Sequence, residues 1–230
     1  FENVLRTYDS QDLYHQLRHK TDDVWNEEAL NKSVEELDKL VCDIRPLMKE
    51  WAKNINIQNL SPKHRLELSK ESLYLTFNYT KILEQYYGIP ENKICHIHGS
   101  IDDEEILTGH DMSFTPLDVY ADKDEEERPR RKIVEIMNKL DKSIKRNIQK
   151  RSFFNTLQDI SNIVVIGHSM STIDIPYFHA VRTKVRPNSN WHFSIHEGQE
   201  TKYIYSFIKY SSHYTCTYPL QEKNCHLFKL

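Results

Sequence analysis

Glycine is scarce in this chain, since the 230 residues include five glycines and no two of them lie closer than ten positions apart. A glycine-rich phosphate-binding loop needs two or three glycines within about six to eight residues. The sequence therefore contains no such loop, and a dinucleotide site would work without one or draw it from residues that precede Phe1. Because the chain starts with Phe1 rather than Met, we expect an N-terminal βα unit to be missing from it.

Paired cysteines, long apolar runs and excess charge are lacking as well. The four cysteines are scattered without C-x-x-C spacing, which is typical of reduced thiols in a cytoplasmic protein. No apolar run approaches the ~18 residues of a membrane span. The net charge of −3 gives no overall basicity that would favour nucleic acid. We therefore expect a cytoplasmic protein that binds neither membranes nor nucleic acid.

Short β-type runs alternate with helical patterns along the chain, and this alternation predicts an α/β protein. We expect a Rossmann-like, mostly parallel sheet flanked by helices, with a helical insertion. Two continuous apolar runs, 73–77 and 163–166, are predicted to be buried strands. Further strands are predicted at 94–98 and 191–195.

The same patterns divide the chain into two parts. Residues 1–72 are expected to form a helical N-terminal part that packs on the core, and residues 73–230 an α/β nucleotide-binding-like domain. Helical spacing over 27–54 predicts a long helix that Pro46 kinks or splits. The helical insertion spans about 111–152 and is expected to contain a single long charged helix.

Polar residues follow three of the predicted strands at their carboxyl ends. Asn78 and Thr80 follow the first strand, His98 and Gly99 end the second, and a turn that starts at Gly167 follows the third. Open α/β sheets bind their ligands at the carboxyl ends of the strands. We therefore expect these three turns to line one crevice.

The first two turns carry groups suited to acid–base and hydrogen-bonding chemistry. Asn78 can orient a ribose hydroxyl or a water; alternatively, Asn78 or Thr80 caps the helix that follows. His96 and His98 are predicted to share one face of their strand. His98 is suited to be a general base or, alternatively, to bond the backbone of a tight turn. A metal site made from these histidines and His110 lacks the paired spacing of zinc ligands, so we expect no metal.

The third turn, Gly167-His168-Ser169-Met170-Ser171, resembles a nucleophile elbow, but Ser171 stands where that motif has glycine. A hydrolase with Ser169 as its nucleophile is one interpretation. The other is a loop-to-helix turn whose N–H groups and hydroxyls suit a phosphate or a ribose.

The charged run at 122–132 has two interpretations. Acidic residues near the start of a helix and basic residues toward its end favour the helix dipole, which accounts for the run without a ligand. Its basic residues Arg130, Arg131 and Lys132 are alternatively suited to a nucleic-acid backbone.

Three motifs in this order resemble the AbiH family of bacterial abortive-infection proteins, over roughly residues 75–180. The matching residues are Phe77-Asn78-Tyr79-Thr80 with Leu83-Glu84 and Tyr87, His96-Ile97-His98-Gly99, and Ile166-Gly167-His168-Ser169 with Asp174 and Tyr177-Phe178. The resemblance implies a role in antiphage defence. It also implies a preceding strand and a Gly-Asn-Gly-Phe-Asp-like turn, which this sequence lacks.

The same pattern is similar, more distantly, to the sirtuin-like NAD-processing domains of bacterial defence systems. That similarity implies hydrolysis of NAD at its N-glycosidic bond, with NAD as substrate and no cofactor, and with Asn78 and His98 as the catalytic residues. The residues implied to bind the substrate are Thr80, Gly99, Gly167, His168, Ser169 and Asp174. Thr80 stands where an aspartate is common in those domains.

The resemblances imply NAD or a related nucleotide, a phage-derived trigger and a second copy of this chain as partners. Two alternatives stay open. The first is a defence protein without NAD chemistry, either a non-catalytic phage sensor that uses the insertion at 111–152 or a nuclease-like effector that binds nucleic acid. The second is a serine hydrolase that uses Ser169.

Overall fold

The computed structural model of this protein describes residues 27–57, 60, 65–110, 124–170, 173–195, 201, 204–205, 207–208 and 222–229. The chain divides into two compact units, Phe1–Lys142 and Ser143–Leu230, which we call the first and the second unit. The division after residue 142 falls inside the expected insertion. The division into 1–72 and 73–230 stays a prediction.

The first unit contains a long helix, α1 (Glu27–Lys53), followed by the short α2 (Ile82–Gln85) and by α3 (Asp124–Asn138). Helix α1 runs through Pro46 without a break, so the alternative in which Pro46 splits the helix is wrong, while the kink stays a prediction. Helices α1 and α3 share one apolar core, because each presents a stripe of apolar residues to the other. The core comprises Leu30, Val34, Val41, Ile133, Val134, Ile136, Met137 and Leu140.

A parallel pair of strands lies in the first unit between α1 and α3 in sequence. Strand β1 (Tyr74–Thr76) pairs with β2 (Ile94–His96), and the register sets Thr76 opposite His96. All three residues of β1 are half-buried, so the prediction of a strand buried on both faces is wrong here. An apolar run shows that a strand can be buried, but the layers that pack on it decide whether it is.

The second unit contains α4 (Ile144–Lys150), α5 (Ile175–Lys184) and a parallel sheet of three strands. The strand order is β3 (Asn162–Val165), β4 (Asn190–Ile195) and β5 (Cys225–Lys229). Short 3₁₀-helices span Glu91–Lys93 in the first unit and Ser152–Thr156 and Glu222–Asn224 in the second.

Strand β3 is covered on one face and open on the other. Val165 and its register partner Phe193 are buried, whereas Val164, opposite His192, is 55% exposed. The prediction of a buried strand is therefore wrong for one face. The reason is the alternation of side chains along a strand, which sends neighbouring residues of a continuous apolar run to opposite faces.

The expected single helix of the insertion is wrong as well, because the chain breaks between α3 and α4. The His110 N–H donates to the Leu140 carbonyl at 3.0 Å, and the Lys142 N–H donates to the His110 carbonyl at 2.8 Å. Ser143 then has a φ of 45°, in the left-handed region. Pairing with His110 thus replaces the helical hydrogen bonds at the break.

The α/β class is confirmed, and every described strand pair is parallel, as predicted. The described strands form two small sheets, one in each unit. The Rossmann-like topology of a single sheet stays a prediction. The sequence also predicts a strand at 213–218, which lies outside the described residues.

Candidate functional site

The turn after β1 holds Asn78 by its backbone and leaves its side chain exposed. The Asn78 N–H donates to Thr76 Oγ1 at 3.1 Å. Helix α2 has Lys81 as its N-cap, without a side-chain cap bond, so the alternative that Asn78 or Thr80 caps this helix is wrong. Thr80 is half-buried beside that N-cap.

Lys81 ties α2 to two other segments. Its ammonium lies 2.8 Å from Glu91 Oε1 and 2.9 Å from Asp102 Oδ2. The hydrogen bonds that this ammonium donates to the two carboxylates hold the pKa of Lys81 above its ordinary range. This charged cluster was not predicted, because Lys81, Glu91 and Asp102 are too widely spaced in the sequence to give a local signal.

His96, the last residue of β2, lies between two acceptors. Its Nδ1 is 3.0 Å from the Asn78 carbonyl oxygen and its Nε2 is 2.8 Å from Glu84 Oε1. Strand β2 ends at His96, and His98 lies in the turn beyond it. The two histidines therefore do not continue one strand face.

His98 is buried beside aromatic rings, with 3% of its surface exposed. Its ring meets the ring of Phe77 edge-on, with centroids 5.3 Å apart, and lies 6.5 Å from the Tyr79 ring. Its carbonyl accepts the Leu107 N–H at 2.7 Å, which fixes the backbone of the turn. That the His98 ring bonds this backbone stays a prediction.

Gly99 closes this turn against the chain that follows. Its φ is +83°, and a Cβ at this position would lie 3.0 Å from the Glu105 carbonyl oxygen. The Ser100 N–H donates to Asp103 Oδ2 at 2.7 Å, which anchors the next peptide. The glycine is required here because the protein's own backbone approaches it closely.

The turn after β3, in the second unit, is open around Gly167. This residue has a φ of +64°, and no heavy atom of the described residues lies within 4 Å of the place that a Cβ would take. Its N–H donates to Ser194 Oγ at 2.9 Å. Ser169, two positions later, is exposed.

His168 has its ring nitrogens directed to two neighbours. Nδ1 accepts the Met170 N–H at 2.8 Å, so the ring proton lies on Nε2, which is 3.5 Å from Asp174 Oδ2. The ring also meets Phe178 edge-on at 4.9 Å. Neither nitrogen is directed at Ser169, so His168 is not the base of a serine nucleophile.

Two further features mark the turn after β3. Met170 is fully buried with a φ of 56°, a left-handed conformation that is uncommon for a residue other than glycine. Asp174 is the N-cap residue of α5 but makes no side-chain cap bond, and its carboxylate is buried beside His168. Strained backbone of this kind often accompanies functional turns.

The structure thus gathers the predicted residues into two groups. Asn78, Thr80, His98 and Gly99 lie together in the first unit, and Gly167, His168, Ser169 and Asp174 lie together in the second. That the two groups line one crevice stays a prediction. His110 belongs to neither group, since its Nε2 lies 3.1 Å from the Met137 carbonyl oxygen.

Within the part of the chain that the structure describes, no three His, Cys, Asp or Glu residues are arranged to hold a metal ion. No described helix has the length and the apolar character needed to cross a membrane.

Parallel strands with polar turns at their carboxyl ends define an α/β protein of the kind that places its functional groups on loops. The chain belongs to the bacteriophage abortive infection AbiH family, whose model matches residues 1–195. It is thus a protein of antiphage defence by abortive infection. No curated protein and no solved structure matches the chain significantly.

Proposed function

We propose that this AbiH family protein hydrolyses the N-glycosidic bond of NAD, with Asn78 and His98 as its catalytic residues. The observation that carries the proposal is the register of the first sheet. Thr76 and His96 are the last register pair of the two neighbouring parallel strands. Asn78 and His98 each lie two residues beyond that pair. Groups in that position lie at the edge of a sheet where α/β proteins bind ligands.

The chemistry needs a base and a group that orients water. The bond between the nicotinamide nitrogen and ribose C1′ breaks, and its electron pair neutralises the pyridinium nitrogen of the leaving nicotinamide. Water forms the new bond to C1′, and its proton passes to the imidazole of His98. The Asn78 amide, exposed and able to donate and accept hydrogen bonds, orients the water or a ribose hydroxyl.

The turn after β3 carries groups of the kind that bind a phosphate or a ribose. The open space around Gly167 lets a phosphate or a ribose approach the backbone. The buried Asp174 carboxylate suits a ribose hydroxyl, which acidic residues commonly bind in dinucleotide sites. These groups, with Thr80, Gly99, His168 and Ser169, are the proposed binding residues.

The alternatives have less support. For a serine hydrolase, His168 is not available as the base, because its ring nitrogens contact the Met170 N–H and the Asp174 carboxylate. A nucleic-acid effector would use the basic residues of α3. Lys132 Nζ lies 3.7 Å from Glu135 Oε2 and 3.9 Å from Asp38 Oδ2, and these carboxylates offset its positive charge. No observation favours either over NAD hydrolysis.

The test is release of nicotinamide from NAD by the full-length protein, with and without phage components. Asn78→Ala and His98→Ala are expected to lower the rate roughly 10²- to 10⁴-fold, the usual contribution of a positioned acid–base group. His226→Ala, a change of an exposed histidine on β5, is the matched control and should leave the rate unchanged. Absence of release from the wild-type protein under both conditions would refute the proposal.

A further inference from the structure

Two residues of the sequence motifs, Glu84 and His96, have no part in the proposed chemistry, yet they contact each other. Glu84 lies on α2 and His96 ends β2, twelve positions later. Glu84 Oε1 and His96 Nε2 are 2.8 Å apart, and each side chain is 11% exposed. A charged pair this close and this well buried is strong only when its other polar atoms are bonded too.

The contact made by Nδ1, the other ring nitrogen of His96, shows which nitrogen must carry a hydrogen. Nδ1 lies 3.0 Å from the Asn78 carbonyl oxygen, which can only accept, so Nδ1 carries a hydrogen. Nε2 then faces Glu84 either as an N–H that donates to a carboxylate or as a bare nitrogen that accepts from a carboxylic acid. In both states one proton is shared between Glu84 and His96.

The backbone of Asn78 is consequently held at both of its polar atoms. Its N–H donates to Thr76 Oγ1 and its carbonyl accepts from His96 Nδ1. Thr76 and His96 are themselves register partners on the two strands. The side chain of Asn78 is exposed, while its peptide groups are fixed by the sheet below it.

We infer that Glu84 and His96 are positioning residues that hold the Asn78 turn in the geometry needed for NAD hydrolysis. The inference rests on the proposed function for the reaction concerned. Glu84 orients the His96 ring, and the ring holds the Asn78 carbonyl. Among the described residues, none donates a hydrogen bond to Glu84 Oε2, although that atom is buried. A buried carboxylate bonded on one side only destabilises the fold, which favours a role for it other than stability.

The kinetic test compares substitutions that break or keep the chain of hydrogen bonds. Glu84→Ala and His96→Ala are expected to lower kcat about 10- to 100-fold with little change in KM, because displacing a catalytic group by about 1 Å has such an effect. In Glu84→Gln the side-chain amide donates a hydrogen bond to His96 Nε2. The N–H at Nδ1 can then still donate to the Asn78 carbonyl, so most of kcat should return. Glu135→Ala, an exposed change on α3, is the control.

A double substitution tests whether the pair acts through Asn78. If it does, Asn78→Ala with Glu84→Ala should be no slower than Asn78→Ala alone, since coupled residues are not additive. Additive losses, or a Glu84→Ala enzyme as fast as Glu135→Ala, would overturn the inference.

A readout without substrate separates this inference from the proposed function. Nitrogen-15 NMR of the His96 ring should show a hydrogen on Nδ1, and Glu84→Ala should speed hydrogen exchange of the Asn78 N–H at least tenfold. If the protein releases no nicotinamide but shows both signals, NAD hydrolysis is refuted, while the positioning of Asn78 by Glu84 and His96 is supported. A His96 Nδ1 without a hydrogen, or unchanged exchange of the Asn78 N–H in Glu84→Ala, refutes the positioning role itself.

Discussion

The polar turns of the two units are built in opposite ways. In the first unit, the turns after β1 and β2 are bonded at nearly every step: Asn78 to Thr76 and His96, and the His98 carbonyl to Leu107. In the second unit, no heavy atom of the described residues lies within 4 Å of the place that a Cβ on Gly167 would take. All three turns lie at the carboxyl ends of parallel strands, so the difference comes from what packs on them.

The difference fits the different tasks proposed for these turns. A catalytic group must keep its geometry to a fraction of an ångström, which needs the bonded surroundings of Asn78. A turn that binds a phosphate or a ribose through its backbone needs access, which the open surroundings of Gly167 allow. The comparison predicts that the same substitution will have unequal effects in the two turns.

The largest effect is expected from alanine at the two turn glycines. Gly99→Ala adds left-handed strain and a Cβ 3.0 Å from the Glu105 carbonyl oxygen, so the free energy of unfolding should fall by roughly 2–4 kcal/mol. Gly167→Ala adds strain without a contact and should cost about 1–2 kcal/mol. Urea denaturation followed by circular dichroism measures both. Equal losses would contradict the contrast between the packed and the open turn.

A smaller effect, dependent on pH, is expected in the second unit. Burial, aided by the charge of Arg182, lowers the pKa of His179 below its ordinary 6.5. The unfolded chain therefore binds this proton more readily than the folded one, so the stability is complete above about pH 6.5 and falls on acidification.

His179→Gln removes the titrating ring and should flatten the loss of stability between about pH 7 and pH 5. The measurement is the urea midpoint of both proteins across that range. Identical slopes in the two proteins would assign the acid sensitivity to other groups.

The smallest effect is expected at Lys81. Its pKa is raised by Glu91 and Asp102, so its contribution is complete below about pH 10 and is lost only as the pH rises through the folded-state value. Both partners are largely exposed, so Lys81→Met should cost less than about 1 kcal/mol at neutral pH.

Salt provides the check on Lys81. High ionic strength should shrink the difference in melting temperature between the wild type and Lys81→Met, because it screens exposed pairs. Lys39→Met, an exposed change on α1, should show no such dependence. A salt-independent loss would point to packing of the lysine stem instead.

Several features were predictable because they depend on local pattern. The alternation of strands and helices gave the α/β class, and the apolar runs located β1 to β4. The polar residues at the strand ends, Asn78 and Gly167 among them, could be named because strand ends are visible as the point where an apolar run stops. The family, too, followed from short motifs, and it is confirmed over residues 1–195.

Other features could not be predicted. The apolar run at 163–166 is compatible with one covered face or two, and only packing left Val164 exposed. The break before α4 depends on His110, thirty residues away, pairing with Leu140 and Lys142. A helical pattern contains no sign of such a distant partner.

The sequence by itself determined the class of fold, the parallel strands and the residues that end them, because these depend on a spacing of two to four residues. Only the tertiary structure decided that His96 lies between Glu84 and the Asn78 carbonyl, and that one turn is packed and the other open. The physical reason is that hydrogen bonds and burial depend on distances in space, and those are set by the packing of segments far apart in the chain.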